Sequence, residues 1–391
     1  MTKPLALIVG AGIAGLSAAW WLDKAGWRSI VVEKAPALRA GGYVITISGL
    51  GYESIIHMGL LDGLRTVSQD FGHNVVYDKY GRELCRIRYS DVHGGFESLA
   101  VRRDDLARLL ADALPESSSI RYEQTISQVT DEDDKVRAVL KGGDIIEADL
   151  LIGADGLRST IRGQFWKDVD ALEPLGYYYA AYNFGQDPEA HNDCHSFNVP
   201  GQLDILFALR DKGMTAMHIW REERNLSASR QDKFAILHEI TRNSVDEVRN
   251  AVDRAEKAGV SPVMDSLTLV TLPRWSTGRV VLLGDAAHCL TLLSGQGACM
   301  ALVSAEILGK ELKNTTDVSK ALANHETKLR PSIERLQART RSMAGWYIPK
   351  GVISYYFRNF LMKLMPYSWI VSYHFKTLKS EIDLTEDSPR R

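Results

Sequence analysis

Short apolar runs alternate with helical patterns at the start of the chain. Leu5–Val9 is an unbroken apolar run that ends in glycine, and Ile13–Ala25 has helical spacing with small residues on one side. Ser29–Glu33 is a second apolar run. A buried strand, a helix and another buried strand in this order predict a βαβ unit with a parallel sheet.

The pattern changes twice further along the chain. Between about 173 and 270, alternation replaces continuous apolar runs and predicts an antiparallel sheet, and afterwards a short buried strand and a long helix return. Strands are predicted at 120–129, 136–147, 148–155, 177–184, 203–209, 214–220 and 280–283, and helices at 101–114, 230–258 and 297–313.

These patterns predict an α/β fold with a Rossmann-like domain, an inserted mixed or antiparallel β-sheet domain and a C-terminal helix. The Rossmann-like domain is discontinuous and comprises 1–72, 99–172 and 271–340. The inserted domain comprises 73–98 and 173–270. Residues 341–391 form an aromatic, basic helical segment.

Composition narrows the class of protein. The 391 residues are 45% hydrophobic and carry a formal charge of −2, so there is no basic field to attract nucleic acid. The 4 cysteines form no CxxC pair, which suits a reducing compartment. No apolar run approaches the ~20 residues that span a bilayer, and the first run is too short for a signal peptide. We expect a cytoplasmic protein.

The first motif with a chemical meaning follows the first strand. Gly10, Gly12 and Gly15 form GxGxxG between strand and helix, and Glu33 ends the next strand. The glycines allow a tight turn, close approach of a pyrophosphate and close helix–strand packing. Glu33 is placed to accept hydrogen bonds from ribose hydroxyls, which favours FAD or NAD over NADP.

Two more motifs lie after buried strands. Gly153-Ala-Asp-Gly-Leu-Arg-Ser159 places Asp155 where open α/β sheets bind ligands, although this carboxylate could equally be a helix N-cap. Gly284-Asp285 ends a later strand, and Ser294-Gly-Gln-Gly297 then opens a helix. The three motifs together carry more weight than any one of them.

In this order and spacing, the three motifs resemble the group A flavoprotein monooxygenases, the para-hydroxybenzoate hydroxylase-like family. The resemblance covers about residues 1–340 and extends in layout to tetracycline-inactivating enzymes and polyketide aromatic hydroxylases. It implies bound FAD. The residues that it assigns to FAD are Gly10, Gly12, Ala14, Gly15, Glu33, Lys34, Arg39, Gly42, Arg103, Asp155, Gly156, Asp285, Gly295, Gln296, Gly297 and Ala298.

The resemblance also implies roles within that set. Asp285 would bind the ribityl chain, and the backbone of 295–298 would lie against the pyrimidine edge of the flavin, where a helix N-terminus stabilises negative charge. Arg103 would lie beside the flavin, with a one-residue slip to Arg102 left open. Gly41-Gly42 resembles the loop that lets the flavin move, or is a plain turn.

The implied activity is monooxygenation. NAD(P)H would bind transiently and reduce the flavin, O₂ would add to give a C4a-hydroperoxide, and one oxygen atom would pass to a polycyclic aromatic or polyketide-like substrate, with tetracycline-type antibiotics among the candidates. Hydroxylation and Baeyer–Villiger insertion both remain open. Two alternatives are an FAD-dependent oxidase or reductase on the same scaffold, and a flavin-bound ligand-binding protein without turnover.

Substrate contacts are expected from the inserted sheet. Residues 177–184, Phe207, Met217 and Trp220 would supply apolar walls, and Arg210 and His218 would orient an acidic or phenolic group. For each of them a core or surface position is the simpler interpretation, because alternation along a strand turns only half of the side chains inward. No triad or metal site is predicted, and His191, Cys194 and His195 lack a fourth metal ligand.

The C-terminal segment is unusual in composition. Residues 341–380 contain six Lys or Arg and no Asp or Glu, and Ile353, Phe357, Phe360 and Leu364 share one helical face. Pro366 should end that helix. We favour a structural helix packed across both domains over a wall of the substrate site or an interfacial membrane helix. A monomer is favoured.

Overall fold

The computed structural model describes residues 3–38, 43–93, 97–132, 134–211, 213–224, 226, 232–349, 351–369 and 371–372, with the backbone alone at 92–93, 343–347 and 362. Among these residues, no helix combines the length and the apolar character needed to cross a bilayer.

The strands of the described residues are β1 (Leu5–Val9), β2 (Arg28–Val32), β3 (Val44–Ser48), β4 (Ser68–Gln69), β5 (His73–Tyr77), β6 (Glu83–Arg88), β7 (Ser98–Arg102), β8 (Ser118–Arg121), β9 (Ile126–Asp131), β10 (Val136–Leu140), β11 (Ile145–Ala148), β12 (Leu150–Gly153), β13 (Leu172–Gln186), β14 (Cys194–Val199), β15 (Gln202–Ala208), β16 (Gly213–Arg221), β17 (Val263–Val270), β18 (Ser276–Thr277) and β19 (Val280–Leu282).

The α-helices of the same residues are α1 (Ile13–Lys24), α2 (Gly49–His57), α3 (Leu61–Val67), α4 (Tyr89–His93), α5 (Arg103–Asp112), α6 (Thr160–Phe165), α7 (Lys233–Thr241), α8 (Asp246–Lys257), α9 (Asp285–His288), α10 (Gly297–Asn314), α11 (Val318–Tyr347) and α12 (Val352–Leu364). A short 3₁₀ turn at Leu292–Ser294 precedes α10.

A six-stranded sheet carries the predicted βαβ unit. Its order is β18-β19-β12-β1-β2-β8, and β1 pairs in parallel with both β12 and β2. The predicted α/β class is confirmed. The helix predicted over 101–114 is shorter than expected, because Val101 and Arg102 belong to β7 and the helix begins only at Arg103. The prediction began too early because the apolar spacing typical of a helix already starts in the last residues of β7.

Helices α1 and α10 cover this sheet and pack closely on each other. A Cβ atom at Gly309 would lie 2.7 Å from the Cβ of Trp21, so the glycine is needed for the helices to approach this closely. Ala14, Ala18 and Ala19 make the buried side of α1 similarly small. Because these residues are small, both helices pack close to the sheet, and each helix begins near the carboxyl edge of the sheet.

A seven-stranded sheet forms the second layer. Its order is β17-β13-β16-β15-β14-β5-β6, so the strands of 73–88 join those of 172–270. The helical pattern predicted over 230–258 is split into α7 and α8, between which Ser244 donates a hydrogen bond to buried Asp204. The division into two domains and a C-terminal segment stays a prediction, which this strand membership supports.

Two histidines are buried between the sheet and the long helices. His288 and His325 lie on either side of Trp275, with ring centroids 4.8 and 5.9 Å from its ring. The Nε2 atom of His325 lies 2.9 Å from the hydroxyl of Ser304. Burial lowers the pKa of His288 to about 3 and that of His325 to about 4, so both rings are neutral at neutral pH.

This burial predicts acid sensitivity. The unfolded chain takes up a proton on each histidine near pH 6.5, whereas the folded protein does not, so the free energy of unfolding falls as the pH drops below 6.5. Between pH 7.5 and 5.5 each histidine should remove about 1.4 kcal/mol. His325→Gln, which keeps an acceptor for Ser304, should lose about 1.4 kcal/mol less over this interval in urea titrations.

The matched control is Ser304→Ala, which removes the hydrogen-bond partner of His325 and keeps the buried ring. Its free energy of unfolding should be lower at every pH, with the pH slope of the original protein. An unchanged pH slope in His325→Gln would contradict the prediction.

Candidate functional site

The three sequence motifs meet at one edge of the parallel sheet. The amide of Ala154 donates to Val9 over 2.8 Å, and the amide of Leu283 donates to Gly153 over 2.9 Å. The turns after β1, β12 and β19 are therefore side by side, because these strands are direct neighbours. The carboxyl edge of an open parallel sheet is where such folds bind ligands.

The turn after β1 needs its glycines for different reasons. Gly10 adopts φ +107°, and a Cβ atom there would lie 2.5 Å from the carbonyl oxygen of Ala154. A Cβ atom at Gly15 would lie 2.0 Å from the carbonyl oxygen of Gly10. At Gly12 a Cβ atom would meet nothing within 4 Å, so this backbone faces open space. Gly10 and Gly15 shape the turn, and Gly12 leaves room in front of it.

Glu33 braces the same turn from the end of β2. Its two carboxylate oxygens accept hydrogen bonds from the amides of Ala11 and Ala35, each over 2.9 Å. Each oxygen keeps a second lone pair for a ligand hydroxyl. Lys34 is exposed beside it. Arg39 and Gly42, with Gly41, fall outside the described residues.

Asp155 satisfies both interpretations of its motif. Its Oδ2 atom accepts hydrogen bonds from the amide and the hydroxyl of Thr160 over 2.6 and 2.9 Å, at the start of α6. Its Oδ1 atom is buried and has no partner among the described residues. Gly156 follows with φ +83°. One carboxylate oxygen thus caps a helix while the other is available to a ligand.

The third motif is pressed against the first. Gly284 has φ +57°, and a Cβ atom there would lie 2.9 Å from the Cβ of Ala14 in α1. Asp285 then opens α9. Gly295 adopts φ +66°, and a Cβ atom at Gly295 or Gly297 would meet nothing within 4 Å.

Helix α10 begins at this open backbone. Its N-cap residue, Gln296, is buried and makes no side-chain hydrogen bond to the first turn. The N-cap of α1, Gly12, makes none either. Two helix N-termini with free amide groups therefore face the same edge of the sheet, and Ala298 lies in the first turn of α10. Such ends stabilise negative charge.

Arg103 lies where the motifs meet the seven-stranded sheet. Its amide donates to the carbonyl of Tyr43 over 3.2 Å. Protein surrounds the guanidinium on most sides, yet the residue keeps accessible surface, as expected for a side chain that lines a cleft. Burial lowers its pKa, but Tyr43, Asp285 and Tyr179 act in the opposite direction and the net shift is upward. Arg103 is therefore a fixed cation.

Arg102 has a different environment. Its guanidinium binds Asp105 over 3.0 Å and Asp211 over 3.1 Å, and it also lies 3.4 Å from Asp104. The charge of Arg102 is therefore balanced by these three carboxylates and not by Asp285. Of the two arginines left open by the sequence, Arg103 is the one that lies near the motifs.

The opposite wall of the cleft is an apolar face of the seven-stranded sheet. The ring of Tyr179 meets that of Tyr43 edge to face, with centroids 6.0 Å apart. Burial raises the pKa of both phenols, so they are neutral hydrogen-bonding groups. The residues that pack together on this face include Tyr177, Met217, Ile219, Leu267, Ile348, Leu292 and Leu293. The last two belong to the turn before α10.

One cation lies at the end of this apolar face. Arg221 places its guanidinium carbon 4.6 Å from the ring centroid of Tyr177 and donates from Nε to the carbonyl of Ile348 over 3.2 Å.

A second arginine joins the second motif to the seven-stranded sheet. Arg158 and Asp265 of β17 form a two-point ion pair with both contacts at 2.6 Å. Sequence reasoning missed Arg221, Asp265 and the pair. Only Arg158 carried a signal, its place in the second motif.

The predicted substrate contacts are divided by strand alternation. Met217 and Phe207 face the cleft side, but His218 and Trp220 face the opposite side, which α7 and α8 cover. His218 is fully buried, with 2.7 Å from Nδ1 to Asp204 and 2.7 Å from Nε2 to the hydroxyl of Tyr182. It cannot reach a substrate in the cleft, and we do not retain it as a candidate base.

Arg210 lies at the outer end of β15. Its guanidinium donates to the carbonyl of Thr66, and its amide donates to Gln69 over 2.6 Å. It lines an open cavity of about 550 Å³ together with Arg65 and His191. The predicted role of Arg210 in orienting substrate stays a prediction. The geometry of the cleft does not support it, because Arg210 lines this separate cavity.

The fold and the site define a dinucleotide-binding flavoprotein. The unpartnered Oδ1 of Asp155, the open backbone at Gly12, Gly295 and Gly297, and the uncapped starts of α1 and α10 fit a ligand with an extended pyrophosphate and a ring that carries negative charge. The fixed cation Arg103 fits the same ligand. FAD has these features.

Comparison with known proteins agrees. A sequence profile described as "FAD binding domain" matches residues 4–339, and the chain belongs to that family. A flavin-dependent monooxygenase from an unknown prokaryotic organism is 30% identical over 349 residues, covering 85% of this chain and 87% of the relative. The FAD-dependent monooxygenase asL4 of Sarocladium schorii is 26% identical, with 92% and 91% covered. The protein is an FAD-dependent monooxygenase.

Solved structures share the whole fold. The tetracycline destructase Tet(55) is 25% identical, superposes with a TM-score of 0.84, and is covered over 99% of its length by 100% of this chain. HpxO of Klebsiella pneumoniae, solved with FAD and uric acid, is 22% identical with a TM-score of 0.81, and the match covers 96% of this chain and 97% of HpxO. The HpxO likeness supports the fold alone.

The glycine geometry predicts that two neighbouring substitutions fail differently. Gly12→Ala is unstrained in the protein, so the free energy of unfolding without FAD should be unchanged. The new methyl group occupies the space in front of the turn, and the Kd for FAD should rise at least ~10-fold. Gly15→Ala collides with Gly10 and should lower the unfolding free energy by ~1–3 kcal/mol. Flavin fluorescence titration and urea unfolding measure the two effects.

Gly142→Ala is the control, because a Cβ atom there meets nothing within 4 Å and the residue lies in the β10–β11 hairpin. It should change neither quantity. Normal FAD affinity in Gly12→Ala would remove this turn from the cofactor site.

Proposed function

We propose that this monooxygenase uses NAD(P)H and O₂ to hydroxylate a polycyclic aromatic or polyketide-like molecule, with tetracycline-type antibiotics among its candidate substrates. One observation carries the proposal. The cation and carboxylate of the cofactor side, Arg103 and Asp285, lie close enough to Tyr43 and Tyr179 to influence the pKa of both phenols, and these two rings meet at the border of an apolar, aromatic sheet face.

The cofactor side would hold FAD with the residues of the three motifs. The turn at Gly10–Gly15 and Glu33 would bind the adenosine and pyrophosphate half, Asp155 and Asp285 would contact the central part, and 295–298 would lie along the pyrimidine edge. When bound, FAD supplies the redox chemistry and the activation of O₂. The start of α10 and Arg103 would stabilise negative charge there, because both place fixed positive potential at the cleft.

The substrate side would supply orientation and dryness. Tyr179 and Met217 keep part of their surface accessible on this face and would offer it to a fused-ring substrate, and the buried Tyr177, Ile219 and Leu267 behind them exclude water. Arg221, held by Ile348 and stacked on Tyr177, is suited to the phenolate or enolate edge of such a molecule. The fold shared with Tet(55) supports a substrate of this size and shape.

The nicotinamide partner is proposed to bind and leave during each cycle. The sequence has one GxGxxG motif, which this proposal gives to FAD, and the described residues contain no second sheet with such a turn for NAD(P)H. Transient binding at the cleft agrees with the exposure of Arg158 beside Asp265. The choice between NADH and NADPH is open to direct comparison of the two reductants.

Substrate should accelerate the loss of oxidised-flavin absorbance. We expect one class among simple phenols, anthraquinones, angucyclines and tetracyclines to raise the stopped-flow rate of reduction by NAD(P)H at least ~10-fold, and ¹⁸O from ¹⁸O₂ to appear in the product. Incorporation of ¹⁸O separates a monooxygenase from an oxidase or reductase. Fast reduction without any ligand, or turnover without ¹⁸O in the product, would contradict the proposal.

Arg103→Met should slow the substrate-stimulated reduction by roughly 10- to 100-fold while the folded protein still binds FAD, because a charge-assisted contact of about 1.5–3 kcal/mol is lost. Arg108→Met is the control. It removes an exposed arginine from the same helix, α5, and should reduce flavin at the original rate. Equal rates in both variants would exclude Arg103 from the active site.

A further inference from the structure

Helix α12 has one face that is firmly attached to the protein. Tyr355 is 1% exposed, and its hydroxyl donates to the carbonyl of Asn198 over 3.0 Å and accepts from the amide of Lys79 over 2.8 Å. Arg358 and Asn359 are also buried on this side. The helix is thus held against the outer strands of the seven-stranded sheet at a fixed angle.

The other face of α12 is apolar and open to solvent. Ile353, Phe357, Phe360 and Leu364 are 87, 64, 60 and 64% exposed, and we call them the apolar stripe. Further exposed residues flank the stripe along the same segment: Val352, Tyr356, Tyr367 and Trp369. Among the residues that the structure describes, nothing packs over these four large apolar side chains, which form one row on a well-packed helix.

Basic residues lie beside the apolar stripe. The ammonium group of Lys79 lies 5.3 Å from the ring of Tyr356. The backbone amide of Arg88, an exposed residue of β6, donates to the hydroxyl of Tyr367 over 3.3 Å, and Lys363 is exposed on α12 itself. The one carboxylate in these contacts, Asp91, accepts a hydrogen bond from Tyr367. Residues 341–380 contain six Lys or Arg and no Asp or Glu, so the segment that carries the stripe is positively charged.

We propose that the apolar stripe docks on an anionic lipid surface, with α12 lying in the plane of the interface. Phenylalanine and leucine would enter the acyl boundary, tyrosine and tryptophan would lie at headgroup level, and Lys79, Arg88 and Lys363 would meet lipid phosphates. The helix has 13 residues and rests on the protein along its length, which suits an interfacial helix rather than a spanning one.

Charge argues for lipid over a second copy of the chain. A two-fold contact through the apolar stripe would place the same basic side chains of both copies against each other, with few carboxylates to compensate. An anionic bilayer compensates them directly. Each of the four side chains is also at least 60% exposed, as expected for insertion into a deformable surface.

Docking would connect the membrane surface to the wall of the substrate cleft through the chain itself. The segment before α12 is bound to the apolar sheet face, because Pro349 accepts a hydrogen bond from the amide of Gly201 over 3.0 Å and Ile348 packs with Tyr177 and Ile219. The anchor and part of the cleft wall are therefore consecutive parts of one segment.

Vesicle flotation of the full chain tests the proposal. Vesicles of phosphatidylcholine with 30% phosphatidylglycerol should carry the protein to the top of the gradient, and binding should weaken as salt rises because the basic contacts are screened. Phe357→Ser with Phe360→Ser should lower the partition coefficient at least ~10-fold. Lys79→Gln with Lys363→Gln should weaken binding to these vesicles but not to pure phosphatidylcholine.

The matched control is Ile145→Ser, which removes an exposed apolar side chain from the β10–β11 hairpin. It should bind like the original protein. All variants should keep the original urea midpoint and FAD content. A protein that stays at the bottom of the gradient with anionic vesicles would overturn the proposal, and so would equal loss in Ile145→Ser. A dimer that the Phe357/Phe360 variant dissociates, without vesicle binding, would assign the apolar stripe to a second copy.

Discussion

The structure depends on the contact of three turns at the carboxyl edge of β19, β12 and β1. Gly10 leaves no room for a side chain beside Ala154, Gly15 lies against Gly10, and Gly284 lies against Ala14. Because each turn touches the next, the starts of α1 and α10 are fixed toward the same cleft with their amide groups available. A cofactor that contacts all three turns would bind only the folded protein, and its binding would therefore stabilise the fold.

The two sides of the cleft do different physical work. The parallel sheet contributes helix ends and carboxylates, and the start of α5 contributes the cation Arg103. The seven-stranded sheet contributes an apolar aromatic wall. Tyr43 and Tyr179 meet at the border between the two. Their raised pKa values keep them neutral, so the border adds hydrogen-bonding capacity without a competing charge. Positive potential beside an aromatic surface is the arrangement that the proposed oxygenation of an aromatic molecule would use.

The C-terminal helix α12 is attached to the same seven-stranded sheet that forms the apolar wall of the cleft. Helix α12 is attached by Tyr355 to the outer strands, and the segment before it is attached by Ile348 and Pro349 to the cleft wall. Any surface that α12 contacts is therefore coupled to the position of the substrate site through backbone and hydrogen bonds. The apolar stripe is exposed because the opposite side of the helix already satisfies the packing of the sheet.

The sequence alone determined the βαβ unit, the three motifs and the helical face from Ile353 to Leu364 that ends before Pro366, because glycine spacing and apolar periodicity are local properties of the chain. Tertiary structure decided the rest. Only strand pairing turned His218 toward the helices and Met217 toward the cleft, since neighbouring residues on a strand point to opposite faces. Only packing separated Arg103 from Arg102 and joined Arg158 to Asp265, because these partners are distant in sequence and their contacts leave no local pattern.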